Sequence, residues 1–215
     1  MLVATAMPAC AAEDDGQLWL RASASGELPG GWQVGLESVL RFGDEADGLY
    51  EGEYGGTIGR ELSEGVSAAA GYLRVPSYSR DGVTRRENRF RQQLSFPVAH
   101  VMGGRLIGRF RIEERVVDTG NDLGVRLRPF LSWSSPIRSG SRTQVLLSHE
   151  SFVNLNGTDW GQRGGYDRMR NFAGVTTPLA KRLALEIGYL NQYGFQRGEP
   201  DTQDHAASVG LSYRF

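Results

Sequence analysis

From about residue 17 to the C-terminus, apolar and polar side chains alternate in short runs with a period of two. In the last run His205, Ala207, Val209, Leu211, Tyr213 and Phe215 share one face, while Ala206, Ser208, Gly210, Ser212 and Arg214 share the other. The run before it sets Leu183, Leu185, Ile187 and Tyr189 against Ala184, Glu186, Gly188 and Gln192. Near the start, Trp32, Val34, Leu36, Leu40 and Phe42 oppose Gln33, Gly35, Glu37 and Arg41. Successive side chains of an extended strand point to opposite sides, so each run predicts a strand with one apolar and one polar face.

Eleven such runs lie near 17–24, 31–42, 49–60, 66–76, 86–97, 104–117, 122–134, 142–153, 166–177, 182–193 and 204–215. Most are roughly ten to thirteen residues, longer than the strands of soluble proteins and long enough for a tilted membrane crossing. Long polar connections, Asn156 to Gly165 and Gln196 to Gln203, flank the short Pro178–Lys181. Short periplasmic turns alternating with longer outer loops are the pattern of outer-membrane barrels. Those barrels usually have an even number of strands, which predicts twelve, with ten as the alternative if 17–24 lies outside the wall. The expected fold is all-β: one antiparallel transmembrane β-barrel over 13–215.

The same alternation would suit a lipocalin-like soluble barrel with its apolar face inside. Three features favour the membrane: the strand lengths, the aromatics Trp32, Phe42, Trp133, Tyr213 and Phe215 near segment ends, and the closing Ser212-Tyr213-Arg214-Phe215. A terminal aromatic after alternating residues marks Phe215 as the expected signal for the barrel assembly machinery. No stretch of eighteen apolar residues predicts a transmembrane helix.

Composition adds little. The net charge of -1 gives no basic excess for nucleic acid, and the 29 Gly residues fit tight turns and close strand approaches. Residues 1–12 differ: they are small, apolar and uncharged, and end in Ala9-Cys10-Ala11-Ala12 before Glu13. This predicts the later part and cleavage site of a secretory signal, with the mature chain starting near Ala12 or Glu13. The positively charged opening of such a signal is missing, so the true start is expected upstream. Cys10, the one cysteine, leaves with the signal; Met7-Pro8-Ala9 is a poor lipoprotein approach to it. The expected location is the outer membrane of a Gram-negative bacterium, with outer-membrane lipids and lipopolysaccharide as partners.

The polar faces of the middle runs are heavily charged. Arg89 and Arg91 stand on one run, Arg105, Arg109, Arg111, Glu113 and Arg115 on the next, and Arg126 and Arg128 on the one after. Glu150, Arg168, Arg170 and Glu186 follow. An Arg on the lipid face at mid-depth costs about 2–4 kcal/mol, so these residues are expected in the lumen. Two readings stand: a lining that selects a small solute, since Arg rings favour anions, and an ion-pair network that fills a narrow barrel.

These runs also carry a resemblance. Arg111-Ile112-Glu113-Glu114-Arg115 resembles the E-x-R strand motif of the DUF2490 family of uncharacterised outer-membrane proteins. Arg126-Leu127-Arg128 matches its Arg-x-Arg strand, and Glu150 to Asn156 matches its acidic, aromatic run into Asn-Leu-Asn. Tyr166 with Arg170, Gly188 to Tyr193, and His205 complete the succession, which spans 17–215. The Gly-rich third run and Val153 depart from the pattern. The resemblance implies fold and location and brings no activity with it.

Ser148-His149-Glu150-Ser151 holds the residue types of a lipid A deacylase, which would be a lipid-facing enzyme. His149 and Ser151 share the apolar parity of Val145 and Leu147, but Glu150 faces the other way and cannot orient His149. A polar rim without catalysis is the expectation. His100 and His205 have no metal-ligand spacing, no phosphate loop or dinucleotide fingerprint is present, and no cofactor is expected.

Overall fold

The protein, described here from a computed structural model, is defined over residues 12–215. Apart from Ala12, the predicted signal segment, Cys10 included, lies outside the described residues. Eleven strands follow one another: β1 (Glu13–Leu28), β2 (Trp32–Gly43), β3 (Gly48–Ser63), β4 (Val66–Ser79), β5 (Gly82–Val101) and β6 (Gly104–Val117). The chain continues with β7 (Gly124–Pro136), β8 (Gln144–Asn154), β9 (Gly165–Ala180), β10 (Leu183–Gly194) and β11 (Thr202–Arg214). Each pairs with its sequence neighbours, and β1 with β11 closes the barrel. Every predicted run corresponds to one strand.

The predicted total of twelve, or ten, is corrected to eleven. The run at 17–24 is the middle of β1, a full wall strand, and the described residues form no twelfth strand. Closure with an odd count requires one parallel pair, and β1 and β11 supply it, from Glu13↔Thr202 to Ser25↔Arg214. Both ladders of β1 are thereby satisfied, which is what closure demands. All other pairs are antiparallel.

The connections differ between the two rims. One rim carries 29–31, 64–65, 102–103, 137–143 and 181–182; the other carries 44–47, 80–81, 118–123, 155–164 and 195–201. The tightest turns use backbone that few residues tolerate. Met102 and Gly103 both have positive φ, 50° and 74°, as a two-residue hairpin with the twist of its strands requires.

Strand parity sorts most side chains in the middle of the wall. Trp19, Arg41, Glu53, Leu73, Glu87 and Glu113 are buried inside the barrel. Leu36, Ile58, Phe90, Phe110, Ile112, Leu131, Leu147 and Ile187 are exposed outside it. The arrangement is the reverse of a lipocalin-like barrel, with the apolar face outward and the charged face inward. Predicted girdle residues Trp32, Tyr213 and Phe215 are exposed at the short-turn rim. Trp133, at the same end, donates its indole N–H to the Val101 carbonyl at 2.9 Å. Inside the barrel an apolar cluster of Trp19, Leu190 and Ala206 packs against Phe172. Gly174 and Gly188 pair across β9 and β10, and the Phe172 ring occupies the space a Cβ would need at either.

Candidate functional site

The lumen is the most heavily built part of the molecule. Antiparallel register brings Glu113 on β6 opposite Arg126 on β7, and Arg111 opposite Arg128. Glu113 is fully buried and accepts from Arg126 at 2.6 Å and from Arg128 at 2.5 Å. Arg128 bridges on to Glu150 at 2.8 Å, which also holds Arg109 at 2.5 Å and lies 3.9 Å from Arg170. A second group centres on Glu87, which accepts from Arg89 and Arg115, each at 2.6 Å, and from Arg85 at 3.1 Å. Arg89 reaches Glu53 at 2.9 Å, and Glu53 takes Arg41 at 2.7 Å. A guanidinium fork can serve two carboxylates at once, which is why Arg suits such a lattice.

Aromatic rings join the two groups. Trp19 lies between Arg41 and Arg170, whose guanidinium carbons stand 4.2 Å and 4.5 Å from its ring centre. Phe152 receives Arg128 at 4.4 Å, Arg170 at 5.0 Å and Arg126 at 5.2 Å. Such stacking satisfies the flat faces of guanidiniums whose edges are spent on carboxylates.

Two polar cavities of about 250 Å³ and 290 Å³ flank this layer, one toward each rim. Arg41, Glu53, Arg128 and Arg170 line both and form the partition between them. At the long-loop rim the segment 155–164 folds across the mouth. Trp160 receives Arg115 at 5.0 Å, and Gln162 accepts from Arg115 at 3.0 Å. Asp159 ties this segment to 118–123 by accepting the backbone N–H groups of Asn121 and Asp122. Those two donors hold its carboxyl below the usual Asp value.

The sequence-predicted lumen residues fall into three settings. Arg89, Arg91, Arg109, Arg111, Glu113, Arg115, Arg126, Arg128, Glu150 and Arg170 meet in or beside the central layer; Arg91 pairs with Glu37, and Arg111 donates to Gln93 at 2.7 Å. Arg168 lies at the long-loop mouth and pairs with Asp167 at 2.7 Å. Glu186 stands apart toward the other rim, with Arg21 as its partner. Arg105 is exposed near the short-turn rim. Glu53, Trp19 and Gln162 escape the sequence reading, and Arg41, read there as polar, is not joined to the network. Glu53 sits in the Gly-rich third run, and the others join through register rather than through any local motif.

The outward face of β8 holds a second polar constellation. His149 Nε2 is 3.0 Å from Ser151 Oγ, and His149 Nδ1 is 2.8 Å from Asn171 Oδ1 on β9. Ser151 Oγ is also 2.8 Å from the Tyr166 hydroxyl. Glu150 points inward, as its parity requires; the group that orients His149 is Asn171, its direct cross-strand partner. Among the described residues no group of His, Cys, Asp and Glu is placed to hold a metal ion.

The model of a family described as protein of unknown function (DUF2490) matches residues 16–203. An uncharacterized protein of Methylorubrum extorquens is 31% identical over 216 residues, covering 100% of this chain and 94% of the relative. Among solved structures, an anion-selective porin from Comamonas acidovorans aligns with 85% of this chain at 14% identity and a TM-score of 0.39. The alignment takes in 54% of that porin, so the chain spans about half its length. So distant a likeness carries no argument about transport.

Proposed function

The chain belongs to the DUF2490 family, and from that premise we propose that it is a Gram-negative outer-membrane β-barrel whose lumen is closed by its own charges. The observation that carries the reading is the central charged layer: Arg41, Glu53, Arg128 and Arg170 line both of two small cavities and stand between them. The outward face is mostly apolar, as a lipid-facing wall requires, and its polar side chains meet one another, as Arg74 does Asn88 and His149 does Asn171; backbone pairing is complete in a closed barrel and most charges have an interior to occupy. In the membrane the short-turn rim would face the periplasm, which puts Phe215 where assembly machinery reads the last strand. Its backbone N–H donates to the Ser25 carbonyl at 2.9 Å, fixing the end of β11 against β1.

In this reading the lumen is structural, neither a free pore nor an active site. The charges hold the wall in shape from within, as a core does in a soluble protein, and passive solute flow is blocked. The test is conductance of the reconstituted full-length barrel in planar bilayers, with insertion checked separately by heat-modifiable migration. The inserted wild type is expected to give no discrete steps, and the double variant Arg128→Ala, Arg170→Ala, which opens the partition, is expected to give small ones. Discrete wild-type steps with anion preference would establish the porin reading instead.

A further inference from the structure

We propose that Ser151, His149 and Asn171 form an acyl-hydrolase triad on the outer wall, acting on the acyl esters of outer-leaflet lipids. The proposal rests on the membrane placement above for its substrate, while the chemistry rests on the side-chain geometry alone.

Polar side chains on an apolar outward face are costly unless they satisfy one another. Here they do so in one directed chain. Asn171 Oδ1 can only accept, so the 2.8 Å contact assigns the proton to His149 Nδ1. Nε2 is then a free acceptor, and Ser151 donates its hydroxyl to it at 3.0 Å. Tyr166 donates to Ser151 Oγ at 2.8 Å. This is the arrangement of a nucleophile, a base within hydrogen-bond reach, and a third group that fixes the base's tautomer.

The placement suits a lipid ester. Ser151 is three residues short of the end of β8 at Asn154, on the long-loop side. At about 3.3 Å per residue it lies roughly 10 Å along the strand from that rim. Acyl ester bonds occupy the boundary between head groups and hydrocarbon, and a site just inside the rim meets them there. Exposed Leu131, directly opposite His149, and Leu147, two residues farther from the rim on β8, offer an apolar track for the acyl chain. Tyr166 packs edge-on against Phe195 at 5.1 Å, in a rim cluster of the kind found at membrane interfaces.

The reaction balances without a cofactor. Ser151 Oγ attacks the ester carbonyl carbon as its proton passes to His149 Nε2. The carbonyl oxygen becomes negative, and the Tyr166 hydroxyl, released from Oγ, is the donor within reach of it. Collapse breaks the bond to the lipid's alcohol oxygen, which takes the proton from His149. Water, deprotonated by the same nitrogen, then cleaves the acyl-serine, so one ester and one water give one fatty acid and one alcohol. Asn171 is a positioning residue, since it acts through His149.

The experiment uses the folded full-length barrel in detergent micelles. A fluorophosphonate probe is expected to label Ser151, located by mass spectrometry, and not to label Ser151→Ala. Fatty-acid release is measured in mixed micelles with diacyl phosphatidylethanolamine in one arm and hexa-acylated lipid A in the other; the arm that reacts identifies the source of the ester. His149→Ala should lower release by about 100-fold or more. Asn171→Ala should lower kcat with little change in KM, and Asn171→Asp, which can still accept from Nδ1, should recover much of it. A heat-modifiable wild type that takes no label and releases nothing in either arm overturns the proposal, as does release that persists in Ser151→Ala. Labelling in detergent does not depend on where the barrel resides. A labelled protein that fractionates away from the outer membrane would therefore overturn the placement and leave the chemistry standing.

Discussion

The two faces of β8 solve the same problem by different means. Inward, Glu150 is buried among Arg109, Arg128 and Arg170, each of which has further contacts. Outward, His149 and Ser151 meet neutral partners in a single line from Tyr166 to Asn171. A buried charge has a long-ranged field and needs several partners at once, so the inner face is redundant and rigid. A neutral hydrogen-bond chain is directional and local. It leaves no net charge at the apolar surface, and each member has a defined role that no neighbour can take over.

The contrast is broken most severely at Glu113. Glu113→Gln leaves Arg126 and Arg128 facing each other in an enclosed space, and unfolding free energy should fall by about 3–5 kcal/mol. Urea unfolding in micelles measures this. Glu186→Gln is the control, because the Glu186–Arg21 pair is partly open to solvent, with side chains 27% and 36% exposed. It should cost less than about 1 kcal/mol. Losses below about 1 kcal/mol at both positions would mean that the lumen is wet throughout.

A smaller effect is expected on the outer face. Asn171→Ala removes one neutral hydrogen bond and should change stability by about 1 kcal/mol. A loss as large as that at Glu113, in the same unfolding measurement, would show that the outward chain is part of the structural frame.

The smallest effect is confined to the long-loop mouth. In the folded chain the Asp159 carboxyl titrates below its ordinary value, because two backbone N–H groups bind its charged form. A depressed carboxyl pKa contributes order above the unfolded value, near 3.9, and that order is lost as pH falls through the folded value. Hydrogen-exchange protection of the Asn121 and Asp122 amides should therefore persist down to about pH 4 and vanish below it. In Asp159→Asn the protection should already be weak at neutral pH, with the global unfolding midpoint unchanged.

Much of this was legible in one dimension. Period-two parity placed Glu113, Arg126, Arg128 and Glu150 on one face and Phe110, Ile112 and Leu131 on the other, and burial divides them the same way. Parity, however, says nothing about register. That His149 stands opposite Asn171 depends on the stagger of β8 against β9, which includes a bulge between Phe152 and Val153. The meeting of Trp19 with both Arg41 and Arg170 depends on closure around the whole barrel. The even strand count failed for a related reason: it is a habit of hairpin-built walls, and nothing in local chemistry forbids a parallel last pair. Glu53 was hidden because the glycines around it erase the alternation that would have drawn attention to it.

The parallel pairing of β1 with β11 reaches beyond the count. A wall built only from hairpins would pair every neighbour antiparallel, so the odd count leaves one seam of a different kind. It also gives the cylinder one longitudinal line that differs mechanically from the other ten. Parallel ladders have slanted hydrogen bonds and are slightly weaker per residue than antiparallel ones. The line from Glu13↔Thr202 to Ser25↔Arg214 is thus the one seam whose strength rests on the number of its pairs rather than on the stronger ladder geometry.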